Sequence, residues 1–290
     1  MKSLFGGQID DAIRAADAGR AIYRADVHHA TGFLYGNHDP GVCALSLQAL
    51  ALAFRGDSQA AVTQLHEAIA LAERLGHGVS LAQPLTQLPW AHQINGDPPA
   101  ALREAEQALT LEERVAHPQF FAIAHAMRGW ALASTGRDEE GVAELERALA
   151  DELRASTIWA AMIGTLLAEV HLRQGRPEAA RAPLDQVQSL IASMPAYYYQ
   201  PEIYRVKAEW LHMAGRQAEA RRLLIASVRT AHQHGSRALA IRSALGLARS
   251  DSSDHEADLK LLRDLCHQLP VDNDTDYARE ARALISGTPD

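Results

Sequence analysis

A chain of 290 residues is long enough for one large domain or two ordinary ones, and 47% hydrophobic residues can bury a core, which excludes wholesale disorder. Lys and Arg number 28 against 36 Asp and Glu, and the resulting formal charge of −8 repels phosphate backbones, so nucleic acid is excluded as a first partner. Cys43 and Cys266 stand far apart and outside any CxxC pair, so neither a structural zinc site nor a disulfide framework is expected.

From Met1 to the acidic pair Asp10-Asp11 there is no apolar stretch of signal-peptide length. The most apolar stretch, Thr157 to Val170, runs about 14 residues and contains Glu169, short of the roughly 18 uncharged residues of a membrane span. A soluble cytoplasmic protein without membrane contact is the expectation. Ala and Leu dominate, β-branched runs are absent and breakers are widely spaced, so the predicted fold class is all-α.

Glycines that close one apolar stretch and precede the next stand at Gly56, Gly96, Gly136, Gly175 and Gly215, in steps of 40, 40, 39 and 40. Five residues after each comes Ala61, Ala101, Gly141, Ala180 or Ala220, and seven before comes Ala49, Pro89, Gly129, Ala168 or Ala208. Small residues at matched positions let two helices approach closely. The pattern is that of tetratricopeptide helix pairs stretched to a period of about 40 residues, which predicts a right-handed α-solenoid. Asp97-Pro98-Pro99 and Arg176-Pro177-Glu178 place proline where a helix starts at little cost.

Gly7 fits the same scheme with Ala12, Ala16 and Gly19 after it, so the chain is expected to begin inside a repeat, which suggests a fragment of a longer protein or a homodimer covering the N-terminal end. The step from Gly7 to Gly56 is too long, and its excess, 26–37, reads as an inserted loop. The repeat array is assigned to 1–249. Helices near Ser236–Arg249, Glu256–Leu269 and Thr275–Ile285 follow, and 250–290 is expected to cap the array.

In such a superhelix the first helix of each pair lines the concave side. The column six residues before each turn glycine reads Leu50, Trp90, Trp130, Glu169 and Glu209, and the column at minus ten ends in Arg205. The expected groove is therefore apolar and aromatic toward its N-terminal half and charged toward its C-terminal half. Trp90 and Trp130 are either anchors for a ligand or packing between adjacent helices. Pro89 falls mid-helix beside Trp90 and implies a kink, or a helix that starts late, after Pro84. Of the 14 histidines, His28, His29 and His38 cluster in the inserted segment, yet no HExxH motif and no ligand spacing argues for a metal. No nucleophile elbow and no phosphate loop is present.

Several motifs together resemble a known family. They are Ser3-Leu4-Phe5, then Phe33-Leu34-Tyr35-Gly36 with Asp39-Pro40-Gly41-Val42, then Arg128-Gly129-Trp130-Ala131-Leu132 ending in Gly136, then Leu167-Ala168-Glu169, and last Tyr204-Arg205 with Lys207 and Glu209. The chain is similar in these to the C-terminal tetratricopeptide region of bacterial multidomain regulators, where that region follows a nucleoside-triphosphatase module and often a class III adenylate or guanylate cyclase domain. The resemblance implies a signal-input or interaction module and carries over no catalytic residue.

The leading expectation is a non-catalytic scaffold that needs no cofactor and binds a protein segment or a small effector in its concave groove. Trp90, Trp130, Glu169, Arg205 and Glu209 are the groove candidates, and Tyr35, His38 and Asp39 form a second, loop-borne site. The alternatives are an enzyme using the histidine-rich segment with Glu169 and Glu209, or a structural dimer joined through the N-terminal repeat.

Overall fold

The computed structural model describes residues 2–35, 37–115, 117–155, 159–192, 197–250 and 254–287. Among these the chain is helical throughout. A short α1 (Lys2–Phe5) turns at Gly7 into α2 (Ile9–Ile22), and α3 (Ala25–Tyr35) follows. Five pairs then run in order: α4 (Pro40–Arg55) with α5 (Ser58–Leu75), α6 (Gly78–Asn95) with α7 (Pro98–Leu109), α8 (Pro118–Ser134) with α9 (Asp138–Ala155), α10 (Ala160–Arg173) with α11 (Pro177–Ile191), and α12 (Gln200–Met213) with α13 (Gln217–His234). The chain ends in α14 (Arg237–Arg249), α15 (His255–Cys266) and α16 (Asp276–Ser286). It is an α-solenoid of helix pairs.

The turn glycines carry the register. Gly56, Gly96, Gly136, Gly175 and Gly215 all have φ between 69° and 96°, the left-handed region that ends a helix without a Cβ clash. Between the helices of a pair, the small residues seven before and five after each turn meet face to face. At Gly129 and Gly141 the fit is tightest: a Cβ on Gly141 would lie 2.5 Å from the Gly129 carbonyl oxygen, and one on Gly129 would lie 2.9 Å from the Gly141 carbonyl oxygen. Ala49, Ala61, Ala168, Ala180, Ala208 and Ala220 are buried at the equivalent places.

One expectation is corrected. The segment 26–37, read as a loop, is mostly helix, since α3 spans Ala25–Tyr35. It contains no proline, and Asp26 lies in its first turn, where a carboxylate suits the helix dipole. Gly32 lets the chain double back at its end: the Asn37 N–H donates to the Gly32 carbonyl at 2.9 Å, and a Cβ on Gly32 would sit 2.5 Å from the His38 carbonyl oxygen. The two prolines of α6 do not delay it either. The helix starts at Gly78 and runs through both Pro84 and Pro89, and α11 likewise runs through Pro183.

The arc closes on its first complete pair. A helix leaves its last carbonyls without partners in its own backbone, and those at the end of α4 are met from the far end of the chain. Ser236 Oγ donates to the Phe54 carbonyl at 2.9 Å, Arg237 Nη1 to the Arg55 carbonyl at 3.5 Å, and Asn273 Nδ2 to the Gly56 carbonyl at 2.7 Å. Asn273 is itself buried, and its Oδ1 accepts from the Thr275 N–H and hydroxyl just before α16. Gly7 packs against the ring of His234, and Gly235 lies beside Ile9 and Asp10, so the first turn also touches the last full pair.

In the third pair, His125 is held between two carboxylates. Its Nδ1 lies 2.5 Å from Glu144 Oε1 and its Nε2 3.1 Å from Glu112 Oε2, while Arg128 Nη2 donates to Glu144 at 2.6 Å. Burial alone would push His125 down, but the bonds and charges of Glu144 and Glu112 outweigh it and raise its pKa. Burial would raise Glu144, yet His125 and Arg128 hold it down at about 2.

Two outcomes follow for stability. Replacing Asn273 by Ala strands the Gly56 carbonyl in the interior and should cost about 1–3 kcal/mol in urea unfolding, with amide exchange accelerating first at the end of α4 and across α15 and α16. Unchanged exchange there would place the closure elsewhere. The His125 contribution, from a raised folded pKa, is complete below the unfolded value of about 6.5 and fades as pH rises through the folded one. The Glu144 contribution is complete above about 4.5 and is lost as pH falls toward 2. His125→Ala should therefore destabilise the protein most near pH 5 to 6, with the difference from wild type shrinking as pH rises through the raised folded-state value; a difference that stays constant with pH would show that charge plays no part.

Candidate functional site

What fills the hollow of the arc decides where a ligand can sit. In its N-terminal half the side chains of distant repeats meet edge to face. Phe54 from α4, Trp90 from α6, Trp159 at the start of α10 and Tyr198 before α12 form ring pairs with centroids 5.6 to 5.9 Å apart. Phe5 of α1 closes this cluster at 5.4 Å from both Trp159 and Tyr198, and the Tyr198 N–H donates to the Phe5 carbonyl at 3.2 Å. Such pairs stabilise beyond their area alone. Trp90 is 0% exposed and so takes the packing role among the two the sequence left open.

The C-terminal half stays open as a cavity of about 770 Å³. Four of the five groove candidates, Trp130, Glu169, Arg205 and Glu209, line it together. Its remaining wall mixes apolar side chains, Ile94, Ala208, Leu224, Leu245 and Tyr277, with charged ones, among them Arg221, Arg249, Asp276 and Glu280.

Three consecutive first helices build the charged side of this cavity. Arg205 of α12 donates through Nε to Glu202 Oε1 at 3.0 Å and through Nη1 to Glu209 Oε2 at 3.3 Å, and its Nη2 reaches Glu169 of α10. The one-turn spacing of Glu202, Arg205 and Glu209 puts all three on one face of α12. From α14, Arg242 Nη2 lies 2.7 Å from Glu202 Oε1 and donates to Glu169 Oε1 at 3.3 Å. The second oxygen of Glu169 accepts from Trp130 Nε1 at 3.3 Å. Burial pushes the Glu169 carboxyl up, but Arg205, Arg242 and Arg173 prevail and hold it well below the usual carboxylate range. Arg205 is raised in turn: burial opposes its charge, and Glu202 and Glu169 more than restore it. Glu209 goes the other way, raised by burial and by Glu169 and Glu202, with Arg205 only partly compensating.

Arg173, one helical turn after Glu169, sits at the rim. Its guanidinium carbon lies 5.7 Å from the centroid of the Trp130 ring, and Nη1 donates to Ser134 Oγ at 2.9 Å. The sequence reading missed Glu202, Arg242 and Arg173. A signal was present in the same forty-residue rhythm: Glu202 and Arg242 are forty apart and pair between neighbouring units, as Ser134 and Arg173 do at thirty-nine.

The second predicted site is of another kind. Asp39 is buried as the cap of α4, accepting from the Val42 N–H at 2.9 Å, from the Tyr23 hydroxyl at 2.9 Å and facing His29 Nδ1 at 3.0 Å. Its own N–H donates to Ser80 Oγ, tying α4 to α6. The Tyr23 phenol is pushed well up by burial and by Asp39. His38 is half-buried near Phe120 and lines a separate cavity of about 330 Å³ with Leu4, Thr31 and Cys43. The side chain of Tyr35 lies outside the described residues. His29 and His77 stand edge to face at 5.7 Å, and burial, with His29 and His38 nearby, lowers His77 although Asp39 opposes the shift. Among the described residues no three His, Cys, Asp or Glu side chains converge as metal ligands, and no helix is long and apolar enough to cross a membrane.

The chain matches no protein-family profile and no curated protein. Among solved structures it is similar to the nearly identical TPR-like repeats of a Podosopora anserina putative kinesin light chain, at 18% identity and a TM-score of 0.46, covering 66% of this chain and 95% of that one. A second structure of that protein gives 19%, 0.44, 66% and 94% in the same order. A tetratricopeptide repeat protein from Parabacteroides merdae is similar over 89% of this chain and 98% of its own, at 14% identity and a TM-score of 0.43.

Proposed function

We propose that the protein is a non-catalytic repeat scaffold that binds a protein segment or a small effector in the C-terminal half of its hollow, as the signal-input module of a larger bacterial regulator. The observation that carries this reading is the cavity of about 770 Å³ on which Trp130, Glu169, Arg205 and Glu209 converge. Its volume falls within the range of small-molecule sites, and it sets apolar side chains beside charged groups that can orient a ligand. The regulatory role rests on the resemblance of the motifs around Asp39, Trp130 and Arg205 to bacterial regulators.

The enzyme alternative needed the histidine-rich segment and the groove carboxylates to act on one substrate. His29 and His38 gather around Asp39 and the smaller cavity, whereas Glu169 and Glu209 face the larger one. Glu169 is also held ionised by arginines, which suits a structural anchor and not a proton carrier.

The test is a screen of the purified chain against a random heptapeptide library and a panel of small organic acids, amides and amines, followed by affinity measurements on two variants. Arg173→Ala should weaken the hits by about tenfold, roughly 1.4 kcal/mol, without moving the melting temperature, because Arg173 is exposed and has no carboxylate partner among the described residues. Trp130→Phe keeps a ring on the cavity wall but loses the bond to Glu169, and should weaken them as well. Hits indifferent to both substitutions would place binding outside the cavity.

A further inference from the structure

The charges around the cavity leave donors unused. Arg205 is fully engaged with three carboxylates. Arg242 is not: among the described residues only its Nη2 is paired, with Glu169 and Glu202, and Nε and Nη1 have no acceptor although the residue faces the cavity. Arg173 has no carboxylate partner, and its Nε and Nη2 are likewise unused. Both arginines act on Glu169 from the cavity side. Free guanidinium donors thus stand next to the face of Trp130 and the apolar side chains of Ile94, Leu224 and Leu245, while Glu202 Oε2 in the same network and the Gln93 amide on the wall are buried without partners among the described residues.

The geometry points to a small organic acid as the ligand, with its carboxylate on the free guanidinium N–H groups of Arg242 and Arg173 and its apolar body against Trp130. This rests on the reading of the cavity as a binding site. A planar carboxylate matches the guanidinium fork, and in a partly dry site such charge-assisted bonds are the strong ones.

Glu209 sets the charge balance. Arg205 and Glu202 on its own helix and Glu169 and Arg173 on α10 act on it directly, with His212 a turn further along α12. Across the cavity α14 brings Arg242 and Arg249, α13 brings Arg221, and α16 brings Asp276 and Glu280. Arg249 is paired with Glu280, whereas Arg221 is shared by Asp254 and Asp258 and Arg279 by Asp274 and Asp276, so that side of the cavity is negative on balance. Around Glu209 itself stand Arg173, Arg205 and Arg242 against Glu169 and Glu202. When Glu209 takes a proton, one positive charge is left over for one ligand anion. An incoming carboxylate raises Glu209 further above its already raised value, so binding takes up a proton and weakens with rising pH.

Hydrocinnamate, which is ionised throughout, can be titrated calorimetrically between about pH 6 and pH 8, beside hydrocinnamamide, phenylpropylamine and N-acetyl-leucyl-phenylalanine. The acid should bind at least about tenfold more tightly than the amide or the amine. Its affinity should fall as pH rises, by at most about tenfold per pH unit, with net proton uptake in buffers of differing ionisation enthalpy. Glu209→Gln, which imitates the protonated carboxyl, should bind it more tightly and without pH dependence, and Arg173→Gln should bind it about tenfold more weakly. Tighter binding of the amine, or weaker binding in Glu209→Gln, would overturn the assignment, and preference for the dipeptide would give the carboxylate to a protein C-terminus. If hydrocinnamate fails while another compound or a peptide binds with sensitivity to Arg173, only this inference falls; a cavity that takes nothing removes the binding site itself.

Discussion

How closely the two helices of a pair can approach governs the rest of this molecule. Where Gly129 and Gly141 face each other, backbone lies against backbone with no room for a methyl group on either side. That contact, repeated about every forty residues with alanines in three of the other pairs, fixes how the two helices of a pair cross, and the stacking of such pairs gives the array its curvature. Curvature in turn determines which side chains share the hollow. Phe54 and Tyr198 are separated by three helix pairs in sequence, yet their rings are 5.6 Å apart. An arc bent that far brings its own ends within reach, and the free carbonyls at the end of α4 become acceptors for Ser236, Arg237 and Asn273.

Closure explains why two buried tryptophans have different neighbours. Trp90 and Trp130 occupy the same column of the repeat, so periodicity cannot distinguish them. Trp90 lies on the side of the hollow where α1 docks, and Phe5 and Tyr198 complete a cage of rings around it. Trp130 lies one unit further on, beyond the reach of α1. There its indole N–H finds Glu169 and its face finds Arg173. The two fates depend on contacts between residues far apart in sequence, which only the folded arc supplies.

The repeat itself was legible in the sequence because it is local: a left-handed glycine at each turn and small residues at fixed offsets are constraints within a single pair. The same columns placed Trp130, Glu169, Arg205 and Glu209 on one wall of a cavity. Arg242 escaped because the array continues past Gly215 without a turn glycine to mark the next unit. Its place is visible only when Glu202 is carried forward by forty residues, the same step that relates Cys43 to Gln83, whose Nε2 lies 3.7 Å from Sγ. The helix α3 was misread for a different reason. Its histidines, Gly32 and turn-like ending look like a loop, and what orders its neighbourhood is tertiary: Asp39 gathers Tyr23, His29 and the α4 cap around one buried carboxylate.

The division of the hollow into a filled half and an open half follows from the cost of desolvation. Aromatic and aliphatic walls gain by meeting one another, so the N-terminal half collapses onto α1 and excludes water. Charged walls do not. Glu169, Glu202, Arg205 and Arg242 are already largely removed from solvent, and each must keep a partner, since an unpaired ion in such a place costs several kcal/mol. The three helices carrying these groups can share a network, but closing the remaining space would also bury Arg173 and Glu209, whose charges are incompletely matched. Part of the arc is thereby kept from collapsing, and the groups that hold it open are the ones best suited to receive a charged ligand.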